Sequence, residues 1–441
     1  MTAGTPLDAV AAARERYVAA HPRSAELAER AARVMPGGNT RSVLHFEPFA
    51  FRVDRADGAH LHDVDGHTYL DLLGDYSAGL LGRRREVADV VRAVLDRGWS
   101  YGATSEPEAT FAEAVVARFP SIEQVRFTNS GTEANLMAVL TARHATGRDR
   151  VVVFDGAYHG GLLNFSPAAA PLRAPFDFGV LPFNDVDAAD AELAGTAGER
   201  VAAVLVEPMM GAAGCIPGDP AFLAALRRLT DASGSVLIFD EVMTSRLAVG
   251  GAQELLGIAP DLTTLGKYLA GGLSFGAFGG RRDLMAAFDP RAGGLAHGGT
   301  FNNNAFTMAV GAAVHDTLID AATLATVNKR GDALRDGLND VFGDSPLPFT
   351  ATGWGSFVNV HPVPGPVHTP ADLRRADPRW RELFFFELLE AGFYLAPRGY
   401  LALTMDVTDD DVDRLLAAVG EFCRRNAVIA FPGHTAYGLR S

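Results

Sequence analysis

Short apolar runs alternate with longer amphipathic segments through the middle of the chain. The apolar runs have the length and residue types of buried strands, which are predicted at Gln124–Thr128, Val151–Phe154, Val201–Val206, Ser235–Phe239 and Asp261–Leu265. The intervening segments have helical periodicity, and helices are predicted at Pro107–Arg118, Thr132–Thr146 and Pro220–Ala232. Because parallel strands are joined by crossover helices, this alternation predicts an α/β fold with a parallel or mostly parallel sheet.

The two ends of the chain follow different patterns. Helices are predicted near the start at Asp8–Ala20 and Ser24–Val34, and short strands within residues 51–73. A long helix is predicted to begin after Asn304, and an α+β segment follows with elements at Phe357–His361, Arg379–Ala391, Leu401–Thr404 and Thr408–Arg425, where Thr408 is the expected N-cap. We expect residues 1–65 and 321–441 to form one small domain beside a large domain of residues 66–320.

Composition and charge narrow the class of protein. The chain has 441 residues, of which 48% are hydrophobic and 21% charged, so a mostly disordered chain is excluded. The net charge of −14 disfavours nucleic-acid binding by bulk electrostatics. Cys215 and Cys423 are the only cysteines, which excludes a disulfide framework and a thiolate metal cluster. No apolar run reaches the roughly 18 residues that span a membrane, and residues 1–21 lack signal-peptide character, so we expect a cytoplasmic protein.

Lysine is nearly absent. Of 39 basic residues only Lys267 and Lys329 are lysines, and the rest are arginines. Lys329 lies on the polar side of an amphipathic helical pattern and is predicted to be at the surface. Lys267 follows a predicted strand and precedes glycines in "DLTTLGKYLAGG", which indicates a position that requires a primary amine.

A second candidate site lies in the segment "TNSGTEA" that begins at Thr128, where a predicted strand meets a predicted helix. Ser130 and Glu133 have the spacing of a capping box, and free N–H groups at such a helix start can hold a phosphate. Gly131 would let the anion approach closely. The alternative is an ordinary helix cap without a ligand.

A third candidate is the acidic pair Asp240 and Glu241 at the carboxyl end of the apolar strand "SVLIF". Ligands of open α/β sheets bind outside such strand ends. On an alternating backbone one of two adjacent acids must face inward. The alternative is that Asp240 only caps a following helix.

A phosphate cradle, a strand-end acid and a rare lysine together suit pyridoxal 5'-phosphate (PLP). The motifs "FTNSGTEANLMAV", "YHG", "EP", "FDEVMT", "TTLGKYLAGG" and "GTFNNN" occur in that order. With them the chain resembles the class III PLP-dependent aminotransferases, which implies fold type I: a large domain with a mostly parallel sheet plus a smaller α+β domain built from both termini.

The resemblance also implies roles for individual residues. Lys267 would bond to the cofactor and move protons, Asp240 would pair with the ring nitrogen, and Tyr158 would stack on the ring. The remaining cofactor contacts it implies are Ser130, Gly131 and Thr132 at the phosphate, Glu207 and Met243 near the ring, and Thr300 at the phosphate of a neighbouring subunit. This last role implies a homodimer with shared sites.

The substrate is suggested by two further stretches. "GGNTRSVLHF" and "FNNN" depart from glutamate-1-semialdehyde aminomutases and resemble bacterial β-phenylalanine aminotransferases. This resemblance implies that Arg41 binds the carboxylate of a β-amino acid and Arg398 the α-carboxylate of a keto acid such as 2-oxoglutarate. The alternatives are an aminomutase, or a PLP-fold protein without catalysis, although Lys267 is present.

Other polar clusters are expected to be structural. His60, His62, Asp63 and His67 alternate along predicted strands, so no metal site is expected there. His159 is expected to be a structural neighbour of Tyr158. The glycine-rich "GGLSFGAFGG" is predicted to be a turn and strand, because it lacks the strand-to-helix context of a dinucleotide-binding loop.

Overall fold

A computed structural model of the chain describes residues 6–427, which form 14 α-helices and 16 strands. The helices are α1 (Pro6–Ala20), α2 (Pro22–Ala32), α3 (Arg85–Arg97), α4 (Glu106–Arg118), α5 (Gly131–Thr146), α6 (Val186–Leu193), α7 (Gly195–Gly198), α8 (Pro220–Ser233), α9 (Gly251–Leu256), α10 (Arg282–Met285), α11 (Ala305–Thr317), α12 (Ala321–Gly343), α13 (Pro378–Glu390) and α14 (Asp409–Asn426). None of them is long and apolar enough to cross a membrane.

A seven-stranded sheet forms the centre of the protein. In spatial order its strands are β4 (Gln124–Thr128), β12 (Gly276–Gly280), β11 (Leu262–Gly266), β10 (Val236–Asp240), β7 (Val201–Val206), β5 (Arg150–Phe154) and β6 (Asp177–Leu181). All neighbouring pairs are parallel except those of β12, which runs antiparallel to β11 and to β4. The prediction of a mostly parallel α/β sheet is therefore confirmed.

Burial explains why most of these strands were predictable. All residues of β7, β10 and β11 are buried, as their continuous apolar or small side chains indicate. The edge strand β6 is different, because only its central residue Gly179 is buried. Helix α5 packs across β7, β10, β11 and β12, which brings its first turn to the carboxyl ends of β10 and β11.

Three smaller sheets lie outside the central one. The first contains β1 (Val53–Asp57), β2 (His60–Asp63), β3 (Thr68–Asp71) and β15 (Phe393–Tyr394), the second β13 (Thr350–Trp354), β14 (Phe357–His361) and β16 (Tyr400–Ala402), and the third β8 (Met209–Met210) and β9 (Ile216–Pro217). Parallel pairing of β3 with β15 joins the N-terminal and C-terminal parts of the chain.

Helix contacts join the same two parts. Arg14 of α1 pairs with Glu382 of α13, and the rings of Tyr17 and Phe386 lie 5.3 Å apart. The boundaries of the expected domains, after residues 65 and 320, stay a prediction. The first five and last fourteen residues of these ranges lie outside the described residues.

The structure corrects two predicted helices. The long helix expected after Asn304 is two helices, because Asp320 caps a new one by accepting a hydrogen bond from Thr323 N at 2.7 Å. Helix α2 lies two residues earlier than predicted, since Asp65 accepts hydrogen bonds from the N–H groups of Arg23 and Ser24 in its first turn.

The cap predicted at Thr408 is confirmed, because its hydroxyl accepts a hydrogen bond from Asp411 N at 3.2 Å. Helix α3 was not predicted. Its apolar residues Val87, Val90, Val91, Val94 and Leu95 have helical spacing, although only Val94 of the helix is buried.

Candidate functional site

The candidate residues meet at one edge of the central sheet. Asp240 is the last residue of β10, and Lys267 comes directly after β11, the parallel neighbour of β10. Strand β4 runs in the same direction as β11, because both are antiparallel to β12. Ser130 therefore follows β4 at the same edge, where ligands of open α/β sheets bind.

Asp240 is 5% exposed, and three donors lie within 3.0 Å of its carboxylate oxygens. Its Oδ2 accepts from His159 Nδ1 at 2.7 Å and from Asn135 Nδ2 at 2.9 Å, and its Oδ1 accepts from Val242 N at 3.0 Å. Asn135 is itself fixed by the Thr264 hydroxyl, which donates to its Oδ1 at 2.7 Å. A buried carboxylate with this many donors is fixed in position.

Glu241 has a different environment, although it is also buried. Its carboxylate accepts from the backbone N–H groups of Ala252 and Gln253, the Gln253 side chain and the Thr244 hydroxyl. Burial raises the pKa of Glu241, and these donors oppose the rise. Both acids are thus buried, whereas alternation along a strand predicted that only one of them faces inward. Alternation does not apply to Glu241, because it lies beyond the end of β10 and binds the first turn of α9.

Lys267 points into the site from a left-handed backbone conformation with φ +59°. Its Nζ donates to the carbonyl oxygen of Tyr76 and, at 3.0 Å, to the hydroxyl of Ser77. Burial lowers the pKa of Lys267 to about 8, while the negative charge of Asp240 opposes this shift. The amine is therefore far more often neutral near pH 7 than that of a surface lysine.

The segment of Asp75, Tyr76 and Ser77 was missed by sequence reasoning. All three residues are left-handed, with φ of 45°, 53° and 74°. Such a conformation is uncommon without glycine and clusters at functional sites. Here it turns the Tyr76 carbonyl and the Ser77 hydroxyl towards Lys267. The sequence carries no motif that would have identified it.

The Tyr76 ring contacts both arginines predicted to bind substrate. The Cζ atoms of Arg41 and Arg398 are each 5.3 Å from its centroid. Tyr76 also stacks on Tyr400 at 5.8 Å and donates a hydrogen bond to Val43 O at 3.0 Å. Burial raises the pKa of Tyr158, and the positive charges of Arg398 and Arg41 oppose this rise. Both arginines are therefore close enough to Tyr158 to influence its charge.

The predicted phosphate segment has its expected helix start. The Ser130 hydroxyl accepts from Glu133 N at 3.2 Å, and Gly131 and Thr132 begin α5, whose first N–H groups have no partner within the helix. The reciprocal contact differs from a capping box, because Glu133 accepts from Asn129 N at 2.9 Å instead of from Ser130 N.

Gly131 is required sterically at this helix start. A Cβ atom there would come within 2.8 Å of the Val242 side chain. The tight contact keeps the first turn of α5 against the loop that follows Asp240.

Three further predicted residues line the same region. Glu207 is buried, and its two carboxylate oxygens each accept a hydrogen bond at 3.0 Å, from Tyr158 N and from Gly211 N. Burial raises the pKa of Glu207 above its ordinary value. Tyr158 keeps 44% of its surface exposed, and Met243 lies against Gly211, whose added Cβ would meet the Met243 sulfur.

Thr300 lies in an exposed loop beside the phosphate segment. It is exposed and makes no hydrogen bond to another predicted site residue within residues 6–427. Its neighbour Phe301 is 67% exposed. Asn302 connects this loop to the phosphate segment by accepting a hydrogen bond from Asn129 Nδ2 at 2.9 Å.

The remaining candidates lie outside the site. Lys329 is exposed, as predicted. Of His60, His62, Asp63 and His67, only Asp63 and His67 contact each other. Together with His21 they form a cluster whose possible metal-ligand atoms all lie within 4.8 Å of one another. Asp63 accepts from His67 Nδ1 at 2.9 Å and from the Tyr69 hydroxyl at 2.8 Å, so hydrogen bonds already account for it. The absence of a metal stays a prediction.

Comparison with known proteins extends over nearly the whole chain. The sequence model of the family described as aminotransferase class-III matches residues 44–420. A β-phenylalanine transaminase of Variovorax paradoxus is 49% identical over 415 residues, which cover 94% of this chain and 95% of that protein. A glutamate-1-semialdehyde 2,1-aminomutase of Methanothermobacter thermautotrophicus is 39% identical over 394 residues, 86% of this chain and 93% of that protein.

A solved structure agrees with the sequence comparison. The crystal structure of a β-phenylalanine aminotransferase from Variovorax paradoxus matches with a TM-score of 0.94 and 48% identity, covering 96% of this chain and 98% of that one. The structural match, like the sequence match, therefore extends over nearly the whole chain.

Proposed function

The chain belongs to the class III aminotransferases, with PLP fold type I and PLP as its cofactor, and on this basis we propose that it transfers the amino group of a β-amino acid to an α-keto acid. The expected keto acid is 2-oxoglutarate, which would yield glutamate and a β-keto acid. The observation that carries the proposal is the pair of guanidinium groups, Arg41 and Arg398, which both contact the ring of Tyr76, the residue whose carbonyl oxygen accepts a hydrogen bond from Lys267.

The residues present fit PLP. Asp240 offers a buried, fully oriented carboxylate at the strand end, and Lys267 offers an amine whose pKa burial lowers to about 8. Residues Ser130, Gly131 and Thr132 offer a hydroxyl and free N–H groups at the start of α5. When bound, the cofactor supplies an aldehyde that takes up the amino group and a ring that accepts the electron pair left at the substrate carbon.

We assign the proton chemistry to Lys267 and Asp240. Lys267 would hold the cofactor covalently and, once released, move the proton at the amine-bearing carbon of the substrate. Asp240 would keep a proton on the ring nitrogen, since a carboxylate within hydrogen-bond reach favours the charged form of that nitrogen. Its contact with His159 keeps the carboxylate aimed in one direction.

The surrounding residues would orient the cofactor. The exposed ring of Tyr158 is available for stacking, and its backbone N–H is fixed by Glu207. Met243 packs beside Glu207 at Gly211 and would border the ring. These residues position the cofactor without taking part in proton transfer.

The substrate assignment follows from where a carboxylate must bind. A β-amino acid has one more carbon between its amine and its carboxylate than an α-amino acid, so its carboxylate lies farther to one side of the reacting carbon. Arg41 would bind this carboxylate, and Arg398 the α-carboxylate of the keto acid. Tyr76 contacts both guanidinium groups, since each Cζ atom is 5.3 Å from its ring centroid.

We further propose a homodimer with shared sites. Thr300 and the exposed Phe301 project from a loop that Asn302 fastens to the phosphate segment. Thr300 would reach the phosphate held by the second copy.

A substrate screen tests the proposed function. Purified enzyme with PLP is incubated with α- or β-amino acids, each with 2-oxoglutarate or pyruvate, and glutamate or alanine is quantified. Glutamate formation from an aryl or alkyl β-amino acid supports the proposal. Rapid isomerisation of glutamate-1-semialdehyde without turnover of any β-amino acid would identify an aminomutase instead.

A further inference from the structure

The two arginines of the site differ in their charge partners. Arg41 Nη1 donates to Asp75 Oδ1 at 2.7 Å, and the two side chains are 46% and 61% exposed. Among the described residues no carboxylate lies within 4 Å of the Arg398 guanidinium, whose Nε is buried without a hydrogen-bond partner. The site therefore supplies its own carboxylate to one arginine and leaves the other open.

The contact with Asp75 occupies little of Arg41. It uses one N–H, whereas a guanidinium offers five, arranged so that two adjacent ones can bind a carboxylate together. An exposed ion pair of this kind is worth about 0.2–1 kcal/mol, so a substrate carboxylate that binds through two N–H groups can replace it.

The backbone fixes Asp75 at this place. Asp75 is the first of the three left-handed residues, and the next two contact Lys267 through the Tyr76 carbonyl and the Ser77 hydroxyl. Such strained segments persist where the surroundings hold them. The carboxylate of Asp75 is thus connected to the reaction centre by a single rigid turn.

We propose that Asp75 is a specificity-determining residue that serves as an exchangeable carboxylate for Arg41. It pairs with Arg41 while a monocarboxylate keto acid such as pyruvate occupies the site. It yields Arg41 to the carboxylate of a β-amino acid, or to the second carboxylate of a dicarboxylate keto acid. This inference rests on the proposed role of Arg41 in binding the β-amino acid.

The test is Asp75→Asn, which removes the charge and keeps the size of the side chain. The expected result is a KM for β-phenylalanine lowered about 1.4- to fivefold, the range set by an exposed ion pair, with kcat little changed. The ratio of kcat/KM for 2-oxoglutarate over pyruvate should rise by a similar factor, because only 2-oxoglutarate brings a second carboxylate for Arg41.

Two controls separate competition from a general charge effect. Asp283 forms an ion pair with Arg281 of similar exposure, at 2.6 Å and outside the site, so Asp283→Asn should change neither quantity. In an Arg41→Ala background, Asp75→Asn should change neither the KM for β-phenylalanine nor the keto-acid ratio, because the arginine for which Asp75 and the substrate compete is absent. The cofactor absorbance and the melting temperature of each variant report whether the site is intact.

Each other outcome overturns the proposal. A raised KM for β-phenylalanine would show that Asp75 holds Arg41 in its binding orientation, and an unchanged KM with an unchanged keto-acid ratio would show no competition. A full effect in the Arg41→Ala background would indicate long-range charge alone. If the enzyme turns over no β-amino acid, the proposed function fails, whereas the keto-acid ratio still tests Asp75 separately.

Discussion

The Nδ1 atom of His159 lies 2.7 Å from Oδ2 of Asp240, and both side chains are almost completely buried. His159 must donate here, because an ionised carboxylate only accepts hydrogen bonds. The expectation that His159 is only a structural neighbour of Tyr158 is thereby made more specific. The residue orients the carboxylate that we assign to the ring nitrogen of the cofactor.

This relationship predicts different results for two substitutions of His159. His159→Asn keeps a donor near the Nδ1 position and should retain most activity, whereas His159→Phe fills the space without a donor. Loss of a hydrogen bond to a buried carboxylate costs about 1–3 kcal/mol, so His159→Phe should lower kcat by roughly 5- to 150-fold. Stopped-flow measurement of the rate of each half-reaction distinguishes the two variants. An equal loss of rate in both would show that His159 only fills space.

Asp240→Asn tests the carboxylate itself. The variant should fold and bind the cofactor but lose the charge that keeps the ring nitrogen protonated. Proton removal from the substrate should slow by at least about 100-fold. The measurement is the deuterium isotope effect and rate of the amino-acid half-reaction, and a nearly unchanged rate would mean that another group holds the nitrogen.

The two lysines form a natural matched pair. Lys267→Ala should abolish transamination and the violet absorbance of the lysine-bound cofactor, because no other described amine faces the site. Lys329→Ala removes an exposed lysine and should leave both unchanged. Ultraviolet–visible spectra and turnover assays check this directly. Turnover by Lys267→Ala at the wild-type rate would remove the residue from the mechanism.

Burial predicts the pH dependence of cofactor capture by cofactor-free enzyme. The neutral amine is the reactive form, and burial lowers the pKa of Lys267 to about 8 from its ordinary 10.5. A lowered pKa raises the neutral fraction at a given pH, to roughly a tenth at pH 7. The capture rate should increase about tenfold per pH unit below pH 8 and level off above it. A rate that keeps rising to pH 10 would mean that burial does not shift Lys267.

The sequence was sufficient to identify site residues that stand out by their residue type or by their position after a buried strand. Lys267 was identifiable because arginine occupies nearly every other basic position, and Asp240 because a fully apolar strand ends at it. Strands β7 and β10 were predictable for the same physical reason, since their residues are buried on both faces.

Contacts between distant segments could not be predicted in this way. The left-handed turn at Asp75, Tyr76 and Ser77 contains no glycine, so nothing in its composition marks its conformation. Its contacts with Lys267 join residues about 190 positions apart and exist only in the folded chain. The break between α11 and α12 was likewise hidden, because Asp320 resembles an ordinary polar residue of a helix until its capping contact is seen.

The arginine assignments predict a division between the half-reactions. Arg41→Ala should impair the β-amino acid half-reaction by roughly 30- to 150-fold in kcat/KM, the equivalent of about 2–3 kcal/mol for a charge-assisted contact. Arg398→Ala should mainly impair the keto-acid half-reaction. Single-turnover kinetics measures both half-reactions, with the β-amino acid for the first and with pyruvate for the second, because pyruvate brings no second carboxylate that Arg41 could bind. Equal impairment of both half-reactions by each variant would contradict the division.

The transfer of nitrogen from a β-amino acid is the central claim, and an isotope experiment tests it most directly. The enzyme is incubated with PLP, 2-oxoglutarate and β-phenylalanine labelled with ¹⁵N at the amine, and the products are analysed by mass spectrometry. The account predicts ¹⁵N-glutamate that accumulates over many turnovers. Glutamate without label, or label that stays on the starting carbon skeleton, would contradict it.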